Sequence, residues 1–370
     1  MSDKLIPIAG DTALENLGIG DSNTRDKIFR DVDVVMNFAA TTNFYERYDV
    51  ALSTNTLGPK NILDFCKKCV KLEMLLHVST AYVCGEKEGL ILEEPYSMGE
   101  TLNRTATVLD IEMEKKVIEQ KLEELRAKQL SKKEETKAMK ELGLERLIKQ
   151  NNKTHLLQHV YVFTKGNGEM LIGERRENLP IVIIRPTIVT STIKEPFPGW
   201  VEGVKTVDAF FTGFGQGEIT FFLGNSQTIM DVIPGDMVVN ATIAATVAHG
   251  DKPNSKFMII YQVACSNRGP MYSLKIRNYA YNHFAKNPLM SENGKPIKGL
   301  GLMNAILRHD DGGYCKKNKR QVKFVTQLVN FNEPYLVFKR NVFYFDPACI
   351  NWDDYFMNIH PPGQMTYVLN

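Results

Sequence analysis

The chain has 370 residues, 43% of them apolar and 24% charged, with a formal net charge of +2. That is an ordinary globular composition, enough for one large domain or two smaller ones. Its near-balanced charge gives no argument for a nucleic-acid partner or an acidic membrane surface. No apolar run reaches the ~18 residues that span a bilayer. Residues 1–8 carry no basic segment followed by an apolar one, so neither a signal peptide nor a transit peptide is expected. Of the cysteines, only Cys66 and Cys69 form a C-x-x-C pair, with no second pair or histidine cluster at zinc spacing. Reduced thiols are therefore expected, without metal or disulfide.

In chain order, Leu5-Ile-Pro-Ile-Ala-Gly-Asp11 has the pattern of a short buried strand ending in a turn, and residues 24–31 that of a helix. Val32 to Ala40 is a nearly continuous apolar run, as expected for a parallel strand covered on both faces. It ends in small residues that let a ligand approach the backbone. Residues 49–68 have helical spacing, with Asn55 among them. Met74-Leu-Leu-His-Val-Ser-Thr80 predicts another strand, whose polar end exposes two hydroxyls. Residues 109–150 are dense in charges of both signs, with apolar positions at Ile111, Ile118, Leu122, Leu125, Met139, Leu142 and Leu147. This predicts a helical hairpin with a narrow apolar stripe, solvated and outside the catalytic cleft.

Tyr161-Val-Phe-Thr-Lys165 follows on a helix, where a spacing of four puts the phenol and the ammonium on one face. A cation beside a phenol favours the phenolate, so Lys165 is expected to lower the Tyr161 pKa toward a working value for proton transfer to a carbonyl. Residues 179–186 give another buried strand, broken by proline after Arg185. Residues 191–225, rich in Gly, Phe and Pro, are expected to be irregular. A short strand from Met230 leads into an Ala-rich helix, and 257–264 form a further strand. The pattern weakens after about residue 270.

Strands alternating with helices predict an α/β fold with a doubly wound parallel sheet, a reductase-like domain over 1–270 with the insertion 109–150, and a C-terminal region over 271–370. Ligands bind beyond the carboxyl ends of such strands. Gly10-Asp11, Ala39-Ala40-Thr41, Ser79-Thr80 and Arg185-Pro186-Thr187 would all line that edge.

Taken together, these segments resemble the extended short-chain dehydrogenase/reductases. More narrowly, residues 37–49 (Asn37-Phe-Ala-Ala-Thr-Thr-Asn-Phe and onward), 77–83, Tyr161 to Lys165 and Ile184-Arg-Pro-Thr187 resemble the plant alcohol-forming fatty acyl-CoA reductases of the male-sterility type. The resemblance implies a Rossmann-like fold and Tyr161 as proton donor. It makes Lys165 the assisting and ribose-binding lysine, and Thr80, or less well Ser79, the hydroxyl on the substrate carbonyl. It implies cofactor contacts at Asp11 (adenine), Ala39, Ala40, Pro186 and Thr187, with Asn55 ordering the site.

The implied reaction is NADPH-dependent reduction of a long-chain acyl-CoA or acyl carrier protein thioester to a primary alcohol through an aldehyde. Residues 191–225 would suit an acyl channel or, equally, a plain core. A cytoplasmic setting, or one peripheral to the endoplasmic reticulum, goes with it. No Gly-rich G-x-x-G-x-x-G turn precedes Leu5, so an N-terminally truncated sheet, an exposed strand edge and weak NADPH binding are expected. The alternatives are an inactive truncated member, or an extended reductase acting on another carbonyl.

Overall fold

The computed structural model describes residues 4–85, 91–98, 110–151, 160–219, 228–250, 256–297 and 346–368. The chain divides into two compact units. Unit 1 comprises 1–87, 93–185 and 245–261; unit 2 comprises 88–92, 186–244 and 262–370.

Unit 1 opens with helix α1 (Ser22–Asp31), started by the Asp21 carboxylate, which accepts from the backbone N–H groups of Asn23 and Thr24. Strand β1 (Val34–Asn37) leads to helix α2 (Tyr48–Leu52), a π turn (Ser53–Leu57) and helix α3 (Gly58–Cys66). Strand β2 (Met74–Val78) precedes the helical hairpin of α4 (Ile111–Ala127) and α5 (Lys132–Asn151). Asp110 caps α4, and a reciprocal Ser131–Glu134 capping box starts α5. Helix α6 (Val160–Arg175) and strand β3 (Ile181–Pro186) follow. With strand β6 (Met258–Val263) they form a four-stranded sheet of order β1-β2-β3-β6. β1, β2 and β3 are parallel, with Asn37 opposite His77 and Val78 opposite Ile184. That register sets residues 38–41 and Ser79-Thr80 side by side beyond the strands' carboxyl ends. The result is the expected α/β architecture, a parallel sheet flanked by helices.

Helix α6 is buried from Val160 through Ile172 almost without interruption. Its Ile172 joins Ile62, Leu63 and Cys66 of α3 and Leu75, Ile181, Ile183 and Ile260 of the sheet in one apolar cluster. Its Phe163 and Met170 join Tyr48 and the hairpin stripe of Ile118, Leu125, Met139, Leu142 and Leu147 in another. The apolar stripe of the hairpin is thus part of the core of unit 1. A narrow stripe read alone does not show which buried surface it will meet. Its outer face does carry exposed Glu123, Glu124 and Lys128.

Two expectations are corrected. Leu5 to Asp11 is not a buried strand: Leu5 and Ile6 are 72% and 78% exposed, and Pro7 has no N–H for a ladder. β1 is not covered on both faces, since Met36 is 42% exposed and Phe38, just beyond it, 56%. Among the described residues β1 pairs only with β2.

Unit 2 contains the parallel pair β4 (Ile188–Thr190) and β5 (Val232–Pro234). Helix α7 (Thr206–Gly215) lies where irregular chain was expected. Helix α8 (Gly235–Gly250) begins in this unit, which also holds helix α9 (Ser273–Lys286) and a helix at His360–Tyr367. Phe210 and Phe211 of α7 are buried, Phe211 stacking on Phe356 at 5.7 Å, and Phe214 meets Phe284 at 6.3 Å. These rings are core, so of the two readings of 191–225 the described aromatic residues of α7 fit the packing one. No helix among the described residues is long and apolar enough to cross a membrane.

A buried polar knot ties α7 to the C-terminal helix. Gln364 Nε2 donates to Asp208 Oδ1 at 2.6 Å, His360 Nε2 lies 3.4 Å from the same oxygen, and Ser191 Oγ meets His360 Nδ1 at 2.9 Å. All three of Ser191, His360 and Asp208 are closed to solvent, so the arrangement is a lock rather than a nucleophile.

Two predictions follow from this packing. The Cβ of a Gly168→Ala variant would lie 2.3 Å from the Asn55 carbonyl oxygen. Backbone cannot yield as a side-chain tip does, so the variant should lose about 1–3 kcal/mol and melt several degrees lower in a thermal scan. The second concerns pH. Burial lifts the Asp208 carboxyl to about 7. Between ~4 and ~7 the folded chain therefore holds a proton that the unfolded chain has released, and this group's contribution to stability falls as pH rises. Burial pushes His360 down to about 3. Between ~3 and ~6.5 the unfolded chain binds the extra proton, so its contribution rises with pH. Asp208→Asn removes only the falling term. Its Tm should climb more steeply than that of the parent between pH 4 and 6.5; parallel curves would contradict the assignment.

Candidate active site

The site is assembled on α6 and the carboxyl end of β2. Thr80 follows β2 directly. Its Oγ1 accepts from the Tyr82 backbone N–H at 3.3 Å, and its hydroxyl sits beside the Tyr161 phenol. Tyr161 is half-buried, with its hydroxyl end inside. Burial raises the phenol to about 12, and the hydrogen bond from Thr80 offsets part of that rise. Phe44 packs on the Tyr161 ring with centroids 5.6 Å apart.

Lys165, one turn further along α6, is 1% exposed. Its Nζ donates to the Val78 carbonyl at 2.7 Å. Burial lowers the ammonium to about 8, and Glu169 on the next turn partly opposes this. The expected effect of Lys165 on Tyr161 is therefore corrected: the phenol is raised, not lowered, because burial dominates and the ammonium is turned to the end of β2. A phenol held protonated is still the form a proton donor needs.

Asn55 orders this region. Its Oδ1 accepts from the Thr41 N–H at 3.0 Å, and its Nδ2 donates to the Thr41 carbonyl at 3.0 Å and to Thr164 Oγ1 at 3.2 Å. Thr56 adds a bond from Oγ1 to the Thr164 carbonyl at 2.8 Å. Both residues sit in the π turn between α2 and α3. Pro59 has no N–H to give the Asn55 carbonyl, so a regular α-helical bond is impossible there. π turns inside helices are frequent at functional sites.

Sequence reasoning assigned no role to Asn37 and His77, though both lie in the segments that carry the resemblance. Asn37 Oδ1 accepts from the Ala39 N–H at 3.0 Å, which orients the amide so that Nδ2 donates to His77 Nδ1 at 2.9 Å. His77 is fully buried. Burial, and then the nearby Lys165, hold its pKa well below the usual range, so it stays neutral. The Ser79 Oγ is buried and has no hydrogen-bond partner among the described residues.

Unit 1 thus brings Ala39, Ala40, Asn55, Ser79, Thr80, Tyr161 and Lys165 to one end of the sheet. Asp11 is exposed, on a loop tied to α3 by the bond from Asn61 Nδ2 to the Thr12 carbonyl, and ends no strand. Arg185 serves the fold: it is chelated by Glu169 at 2.6–3.1 Å and lies over the Tyr96 ring. Pro186 and Thr187 belong to unit 2, where Thr187 Oγ1 donates to the buried Asp231 carboxylate at 3.2 Å.

The residues fit a nicotinamide dinucleotide on several counts. Ala39 is exposed and small. The orphaned Ser79 hydroxyl needs a polar partner. An ammonium has three donors, of which the Val78 carbonyl takes one from Lys165.

Comparisons with known proteins agree with this chemistry. Residues 1–242 match the male sterility protein family of NAD-binding domains. Fatty acyl-CoA reductase 8 of Arabidopsis thaliana is 42% identical over an alignment 419 positions long, covering 100% of this chain and 83% of that protein. The alcohol-forming fatty acyl-CoA reductase of Simmondsia chinensis is 41% identical, with the same coverage of each. Among solved structures, the terminal R domain from the myxalamid PKS-NRPS biosynthetic pathway superposes with a TM-score of 0.49 at 18% identity, over 76% of this chain and 55% of that one. The family match and the identity to the plant enzymes over the whole of this chain make it a member of the male sterility family of fatty acyl-CoA reductases.

Proposed function

We propose that the chain reduces long-chain acyl-CoA to the primary alcohol with NADPH. The observation that carries this reading is the Tyr161 phenol beside the Thr80 hydroxyl, with buried Lys165 one turn away, in a chain so similar to named fatty acyl-CoA reductases. When bound, the reduced nicotinamide supplies a hydride, twice per thioester. Two hydrides and two protons convert a thioester into an alcohol and a thiol, and the aldehyde lies between. Thr80 and Tyr161 hold the carbonyl oxygen, and Tyr161 gives it a proton as negative charge develops there. The buried ammonium of Lys165 keeps positive charge beside the reacting region and offers donors to ribose hydroxyls. Asn37 and Asn55 fix the backbone at Ala39 and Thr41, against which a dinucleotide would lie. A carrier-protein thioester is the alternative acyl donor, and the same assay run with both distinguishes them.

Tyr161→Phe should reduce turnover by roughly 10²–10⁴-fold while NADPH affinity stays close to that of the parent. Near-normal turnover in this variant would refute the assignment. So would reduction of other carbonyls with no activity on acyl thioesters. The pH profile tests Lys165 separately. The ammonium titrates at about 8 and is charged below that value. kcat/KM should therefore fall as pH rises through about 8. In Lys165→Arg that alkaline limb should vanish, since a guanidinium keeps its proton.

A further inference from the structure

Helix α2 begins with a residue whose hydroxyl is tied to the distant hairpin. Tyr48 is fully buried, and its OH donates to Glu114 Oε2 of α4 at 2.7 Å. Glu114, 1% exposed, is gripped from α5 by Arg146, whose Nε and Nη2 reach its two oxygens at 2.9 and 2.5 Å. The Tyr48 ring lies near the Phe163 ring of α6 at 6.4 Å. A Cβ on Gly143 of α5 would come within 3.2 Å of the Tyr48 Cβ, so the hairpin closes tightly around this residue. The preceding residue is held from the same side: Arg47 pairs with Asp49 at 2.8 Å and with Glu135 of α5 at 2.7 Å.

What these bonds fix is the end of loop 41–47. Asn55 pins the other end at Thr41, and the Glu46 carboxylate accepts from the Arg47 N–H at 2.9 Å and from Asn43 Nδ2 at 3.3 Å. Between them Phe44 covers Tyr161. An apolar contact would seal the hairpin equally well. A buried carboxylate held by directed bonds from Tyr48 and Arg146 instead sets one position, because any other leaves its charge unpaired.

We propose that Glu114 is a positioning residue for the Tyr161 site: through Tyr48 it sets where loop 41–47 ends, and so how closely Phe44 covers the phenol. This rests on the reading of Tyr161 as the proton donor.

The test is Tyr48→Phe in the full chain, which removes one hydroxyl and leaves the Glu114–Arg146 pair. Two readouts are used: kcat and KM with acyl-CoA, and the titration of Tyr161 followed by NMR of ¹³Cζ-labelled tyrosine, assigned by its loss in Tyr161→Phe. We expect kcat to fall about tenfold with the KM for NADPH unchanged, and Tyr161 to titrate below its parent value as its cover loosens. A lower Tm with both readouts unchanged would overturn the proposal, since a merely structural bond would do only that. Should Tyr48→Phe fail to fold, Glu114→Gln and Glu114→Leu replace it. Gln keeps an acceptor for the Tyr48 hydroxyl and should preserve the Tyr161 titration, whereas Leu should shift it. Equal titrations in the two variants would overturn the proposal. If the parent chain reduces no acyl-CoA, the functional reading fails, and the NMR titration still decides the positioning claim. Glu123→Lys, on the exposed face of α4, serves as the control.

Discussion

The side-chain amide of Asn55 is the point on which the site in unit 1 depends. It is fully buried, and every bond it makes joins pieces far apart in sequence: the loop after β1 and the helix carrying Tyr161. Its backbone matters as much. Pro59 leaves the Asn55 carbonyl without a helical partner, the turn widens to π, and Gly168 of α6 comes in against the same oxygen. Loss of such a buried, fully used amide costs about 1–3 kcal/mol per stranded group. The loss would also move two walls of the site at once.

Helix α6 works because its faces answer to different neighbours. Thr164 and Gly168 face the π turn. Lys165, Glu169 and Ile172 face the sheet, where they meet the Val78 carbonyl, Arg185 and the apolar cluster. Phe163 and Met170 face the hairpin. Spacings of three, four and seven place each set on its own stripe. Tyr161, near the start of the helix, inherits a position from all three. This is why its phenol is buried enough to rise in pKa while its ring still meets Phe44.

Much of this was legible in the sequence. The apolar run at Met74 to Val78, the Tyr161–Lys165 spacing and the hairpin stripes predict β2, α6, α4 and α5 close to where they lie. Other parts were not. Glu114 sits among many charges of both signs, and only the third dimension separates it from exposed neighbours such as Glu112. Residues 5–11 have a strand's composition, but a strand needs a neighbour to pair with. Helix α7 was hidden by its glycines and aromatic residues, which look irregular until Phe211 finds Phe356. The direction of the Lys165 ammonium is a matter of which acceptor lies nearer, and no spacing rule contains that. The family resemblance supplied roles for Ser79 and Asn55; the unmet hydroxyl of one and the bond pattern of the other come only from the fold.

The Glu169–Arg185 pair joins α6 to β3 with both partners 1% exposed. The hydration that such ions give up becomes less favourable as temperature rises, while apolar burial gains little more per unit area. The junction between the Tyr161 helix and the sheet therefore grows stronger, relative to the surrounding aliphatic clusters, as the protein warms. On heating, the apolar seams of the hairpin should loosen before this ionic rivet does. Cooling reverses the balance, and the charged joint then costs the most to keep dry.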